Sequence, residues 1–198
     1  MAFVPYNINK QTSDEGVKRS NDLGDVTMLA NYKLLDVRSA DKHNNRISQQ
    51  LWVGGGLKLH TGKFAADPNE IIPEANNQPG TGSVDYLLNA MYTFHINDWG
   101  INSNINYKIN SSAKDFQFGN RLSTSAFIFH STSLAKVTFN LNVWVLYDKL
   151  QANKLNSKQI EETGGNALFA AAVLETNFTK MAIGFNAQVP LSQNLSNG

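Results

Sequence analysis

Polar and apolar positions alternate along this chain with a period of two, in runs of roughly ten residues. The clearest run is Ile101–Asn110. Ile101, Ser103, Ile105, Tyr107 and Ile109 fall on one side, and Asn102, Asn104, Asn106, Lys108 and Asn110 on the other. Successive side chains of a strand point to opposite faces, whereas a helix would scatter both sets around its circumference. The same pattern places Val84, Tyr86, Leu88, Ala90, Tyr92, Phe94 and Ile96 opposite Asp85, Asn89, Thr93 and His95. It sets Val137, Phe139, Leu141, Val143 and Val145 opposite Thr138, Asn140 and Asn142, and Met181, Ile183, Phe185, Ala187 and Val189 opposite Gly184, Asn186 and Gln188. Ala2–Asn9, Val26–Leu34 and Leu51–Leu59 alternate more weakly, the last around Gly54-Gly55-Gly56. Phe116–His130 and Asn166–Phe178 read as strands whose phase the residues leave open. The total is about nine strands, most of them about ten residues long, the length a tilted strand needs to cross a bilayer.

Long polar connections are expected at Lys10–Asp22, Thr61–Gly82 and Asp148–Gly165, and short turns at Asn97-Asp98, around Ser131–Ser133 and around Thr176-Asn177. Asp36–Arg46 is longer, and Ser111–Asp115 shorter, than this alternation requires. Long loops at one end and tight turns at the other characterise outer-membrane barrels. The prediction is one all-β domain over residues 1–198, an antiparallel up-and-down meander forming most of a transmembrane β-barrel. The odd strand count and the loop-like Pro190-Leu191-Ser192-Gln193-Asn194 predict further strands before Met1 and after Gly198.

Alternation does not say which face meets water. A lipocalin-like barrel encloses its apolar set; a membrane barrel turns it outward. Here the mid-strand polar set is mainly Asn, Ser, Thr and Gln. Charges gather in expected loops, such as Asp14, Glu15, Lys18, Arg19 and Asp22, or Lys158, Glu161 and Glu162. A wall facing water would carry Lys and Glu along its strands. Tyr32, Phe94, Trp99, Phe116 and Tyr147 fall at strand ends, where a membrane-interface girdle would lie. These features favour lipid outside and water inside, with a soluble ligand-binding barrel as the alternative.

Composition narrows the classes further. A net charge of +1, with no Lys/Arg cluster interleaved with aromatics, argues against a nucleic-acid partner. With no cysteine there is neither a disulfide framework nor a thiolate metal site. The mean hydropathy of −0.32 would suggest a soluble protein, but strands with one wet face hide their apolar face from such averages. No run of apolar residues is long enough for a helical membrane span, and Met1–Tyr6 has no secretory-signal pattern.

Three motifs bear a family resemblance: Leu23-Gly24-Asp25-Val26-Thr27, Gly56-Leu57-Lys58-Leu59-His60-Thr61-Gly62-Lys63 and Gln78-Pro79-Gly80-Thr81-Gly82-Ser83-Val84-Asp85. In this order the chain resembles the outer-membrane "transporter" family associated with the meta pathway of phenol degradation, with His60 where that family usually has proline. The resemblance implies an outer-membrane barrel that admits small hydrophobic or aromatic compounds.

Candidate chemistry is sparse. Gly62-Lys63 leads to Phe64 and so is not a phosphate loop; Gly80 and Gly82 are expected to supply backbone freedom where the chain re-enters a strand. His43, His60, His95 and His130 stand singly, without metal-ligand spacing. His130-Ser131-Thr132-Ser133 raises a barrel-borne lipid hydrolase, but neighbours on a strand point to opposite faces and serve poorly as base and nucleophile. The favoured functional residues are a pore lining of Asp85, Asn89, Asn102, Asn104, Asn106, Lys108, Asn140 and Asn142. Its role is passive passage of small solutes through the outer membrane. No catalytic residue, metal or cofactor is assigned, and the expected partners are membrane lipid and the solutes. A lumen plugged by mutually bonded amides is the competing reading of the same residues.

Overall fold

The structure, a computed structural model, describes residues 1–13, 16–40, 46–64, 78–161 and 163–195. In chain order the strands are β1 (Ala2–Phe3), β2 (Tyr6–Ser13), β3 (Gly16–Leu23), β4 (Thr27–Ala40), β5 (Arg46–Lys58), β6 (Asp85–Ile96), β7 (Trp99–Ile109), β8 (Ser112–Ala113), β9 (Phe116–Gln117), β10 (Arg121–Leu134), β11 (Val137–Leu150), β12 (Lys154–Leu155), β13 (Lys158–Gln159), β14 (Gly165–Asn177) and β15 (Ala182–Leu195). Nine of them form one antiparallel sheet in the order β1-β4-β5-β6-β7-β10-β11-β14-β15. Long strands that follow one another in sequence lie side by side, so the expected meander is present. Among the described residues the sheet is open, with β1 and β15 at its edges.

Several boundaries differ from those expected. The first strand splits in two, because Pro5 has no N–H to give to a ladder. Residues expected as a polar loop after it pair instead as a β2–β3 hairpin, from Tyr6↔Leu23 to Ser13↔Gly16. β4 continues to Ala40 past an extra residue, Leu34, so most of Asp36–Arg46 is strand. The turn expected at Ser131–Ser133 is strand, and the chain reverses at Ala135, whose φ is 54°. The next reversal is at 178–181, beyond Thr176-Asn177. Pro190–Asn194 belongs to β15; Leu191 is the extra residue of a bulge there, and an edge strand accommodates the adjacent Pro190.

These changes sharpen the asymmetry of the connections. Asn97-Asp98, Ala135-Lys136 and 178–181 form tight turns at one end. The other end carries 59–84, 110–120 and 151–164. The second and third of these hold short hairpins that join as a four-stranded sheet, β13-β12-β9-β8. Both hairpins turn on two residues of positive φ, Lys114-Asp115 (49° and 66°) and Asn156-Ser157 (49° and 66°), a geometry whose twist matches that of paired strands. Asp14, Glu15, His43, Glu162 and the middle of Thr61–Gly82 lie outside the described residues.

Pairing extends the alternation across the sheet. One row runs Ile105↔Thr124 and Thr124↔Tyr147; its neighbour runs Asn104↔Ser125 and Ser125↔Leu146. Apolar residues on the first face are the more exposed: Leu88, Ile101, Ile105, Ile128, Leu141 and Val143 lie between 42% and 54% exposed. The second face, carrying the asparagines, is the better covered over the middle strands, while Asn31, Asn106 and the whole of β15 are exposed. Buried apolar side chains among the described residues are only Phe116, Ala167 and Ala171. A water-soluble chain of this size would bury a sizeable apolar core. Here many of the large apolar side chains are exposed.

Two expectations about faces need correction. Phe116 belongs to no girdle; it is buried in the small sheet, edge-on to Phe118 at 4.9 Å between ring centroids. The covered face is not dominated by amides and hydroxyls either. Trp52, Met91, Phe127, Phe129, Trp144 and Phe169 all share it, in register with Gln50, Thr93, Asn102 and Asn104. Glycines make room for the larger of these: a Cβ on Gly100 would overlap the Phe129 ring.

Candidate functional site

All eight predicted lining residues lie on the covered face, but they divide into three groups. Asn89, Asn102, Asn104 and Asn106 occupy adjacent positions of β6 and β7, with Asn89↔Asn106 as direct partners. Asn104 donates to Asn102 at 2.7 Å, Asn102 to the Thr93 hydroxyl at 2.7 Å, and Asn89 to Asn31 at 2.8 Å. Asn140 and Asn142 sit on β11 towards the tight-turn end, where Asn140 accepts from Ser131 at 2.7 Å and donates to Glu175 at 3.3 Å. Asn142 is the partner of Phe129.

Asp85 and Lys108 belong to a third arrangement, at the long-loop end, which draws in residues not singled out as functional. Asp85 is 0% exposed. Its Oδ1 accepts from the Ser83 hydroxyl at 2.7 Å and the Ser111 N–H at 3.1 Å. Its Oδ2 receives no hydrogen bond of good geometry, yet lies 2.6 Å from Lys58 Nζ and 3.2 Å from Lys108 Nζ, so ion pairing neutralises it. Lys58 also reaches Asp25 Oδ2 at 3.0 Å and the Thr81 hydroxyl. Asp25 in turn accepts from Gly62 N–H at 3.0 Å, and from the Thr81 N–H and hydroxyl, each at 2.8 Å.

The three glycine-containing motifs thus meet at one buried cluster. Gly62 and Gly80 pack backbone to backbone, with no room for a side chain on either, and Gly82 has the positive φ (69°) expected where the chain re-enters β6. Thr61 bridges Val26 N–H at 2.8 Å and Gly24 C=O at 3.1 Å. The two ends of the 59–84 connection are therefore stitched to the turn before β4. Arg121 and Asp148 complete the charged band: Arg121 binds Asp148 through Nε at 3.0 Å and Nη2 at 2.6 Å, and Ser123 donates to the same carboxylate at 2.6 Å.

Burial pushes the Asp25 carboxyl upward, but the Thr81 and Gly62 N–H groups, the Lys58 ammonium and the Thr81 hydroxyl outweigh it and hold the carboxyl below its ordinary value. A depressed folded pKa gives a stabilisation that is complete above the unfolded value of about 3.9 and is lost as pH falls through the folded pKa. As pH falls through that lowered pKa, below the ordinary carboxylate range, the Gly62 and Thr81 amides should lose hydrogen-exchange protection. Asp25→Asn should show the same loss at neutral pH, and full protection in that variant would rule out Asp25 as the clamp.

Among the described residues the histidines remain separate. His95 packs edge-on to Phe129 on the covered face, and His130 lies against Trp99, with its Nε2 2.9 Å from the Thr132 hydroxyl. Ser131 points to the opposite face from His130, into its bond with Asn140. Of the missed residues, Asp25, Lys58, Thr81 and Ser83 did carry a signal, since all lie in or beside the glycine motifs. Arg121 carried none, because the phase of β10 was open, and Asp148 was read as the start of a polar connection although it lies in β11. The chain matches no family model and no curated protein sequence.

Proposed function

We propose that this chain forms most of the wall of an outer-membrane β-barrel through which small solutes pass passively, hydrophobic or aromatic ones included. The observation that carries the proposal is the exposed apolar face, kept in phase from β4 to β15 while most charged strand residues turn to the opposite side. Exposed apolar surface on this scale calls for a membrane or another protein. Strand length agrees: 11 to 14 residues in the long strands, tilted by about 45°, rise about 25–33 Å, close to the apolar height of such a wall. Tight turns at one end and long connections at the other fit the same architecture, and the glycine motifs bring the family resemblance to its support.

A wall in lipid has no free edge, because an unpaired backbone group there costs several kcal/mol. The proposal therefore requires that β15, and β4 beyond its short pairing with β1, be paired in the bilayer. The covered aromatics favour a second reading, a soluble barrel with a ligand inside. Cell fractionation separates the two, followed by conductance of the complete native protein in a planar bilayer. Outer-membrane location with steady single-channel steps is expected. A soluble fraction would overturn the proposal, and a membrane location without conductance would leave a closed, structural barrel.

A further inference from the structure

Pairing of β7 with β10 sets Lys108 directly across from Arg121 on the covered face. Like charges in directly opposed positions destabilise a sheet. Both are retained here, each beside a carboxylate: Lys108 lies 3.2 Å from Asp85, which it shares with the closer Lys58, and Arg121 lies 2.6 Å from Asp148. The two signs lie at different depths. Side-chain exposure is 31% for Lys108 against 0% for Asp85, and 57% for Arg121 against 26% for Asp148. The other two charged members, Lys58 and Asp25, are both buried and pair with each other at 3.0 Å.

Formal charge over these six residues cancels, but the potential at the surface does not. A solute group about 4 Å from these two shallower cations feels them more strongly than carboxylates set deeper, because attraction falls with distance and is screened over roughly 8–10 Å. The next positions along the same strands, Asn106 and Ser123, are again direct partners and offer neutral polar groups. From this we infer that Lys108 and Arg121 form an anion-attracting station at the long-loop end, so that the pore prefers anions, carboxylate-bearing solutes among them, over cations. This inference rests on the pore proposed above and names its solute class.

The test is the reversal potential of the complete native protein in a planar bilayer under a KCl gradient. A potential on the chloride side is expected, and replacing both residues (Lys108→Gln with Arg121→Gln) should move it towards potassium, since Asp85 and Asp148 remain. Wild-type protein alone supplies a second measurement: raising the salt from about 0.1 M to about 1 M shortens the screening length from roughly 10 to 3 Å, and the chloride preference should fall. A conducting wild-type protein that is unselective or prefers potassium overturns the anion station and leaves the pore intact, as does a chloride preference indifferent to salt. A wild-type protein that never conducts overturns the pore, and the station with it.

Discussion

Lys58→Met should destabilise the protein by about 3–5 kcal/mol, the range for removing one partner of a buried ion pair. Lys58 is buried between two carboxylates, 3.0 Å from Asp25 and 2.6 Å from Asp85. Methionine has a similar length and gains some apolar contact, yet it leaves two negative groups facing one another away from water. Lys108 offsets only Asp85, and only from one side. The penalty thus comes from the stranded charges more than from the lost bonds. Adding Asp25→Asn and Asp85→Asn should recover most of the loss, because an uncharged cluster of the same shape is close to neutral in cost. Denaturant unfolding of the wild-type, single and triple variants measures both effects. A single-variant cost below about 1 kcal/mol would mean that water reaches the cluster and the ion pairs carry little.

The second large effect depends on what surrounds the exposed face. Ile105 and Leu141 are 52% and 49% exposed, so in water a lysine at either position should change stability by no more than about 0.5 kcal/mol. In a bilayer the same substitution near the midplane should cost about 2–4 kcal/mol. Lysine at Asn104 or Asn140, on the covered face, should escape that lipid penalty. Folding yields into lipid vesicles for the four variants read the difference directly. If Ile105→Lys and Leu141→Lys insert as well as wild type, the apolar face does not meet lipid.

Much of the fold was legible because β alternation is a local property. Each residue's backbone stereochemistry sends its neighbour's side chain to the other face, so β6, β7, β11 and β15 announced both their existence and their two sides. The failures have equally local causes. In β10, Ser123 and Ser125 share a face with Phe127 and Phe129, so polar and apolar residues cancel in any period-two reading. Ser131-Thr132-Ser133 resembles a turn by composition, yet a strand accepts these residues when Ser131 and Ser133 can bond across to Asn140 and Thr138. Asp36 and Arg38 were taken for loop because they are charged, although both are exposed strand residues paired with Gln50 and Ser48.

The sequence established the all-β meander, its approximate strand number, which residues share a face within most strands and the end that bears long connections. All of these follow from near-neighbour geometry and spacing. What only the assembled sheet could decide is which distant residues meet. The backbone pairing that places Arg121 beside Lys108, and the glycine-to-glycine approach that brings Asp25 and Lys58 to Thr81 and Asp85, join residues that lie on different strands and loops. No periodicity records such meetings, because hydrogen bonds between strands and packing between loops are set by the whole chain's register.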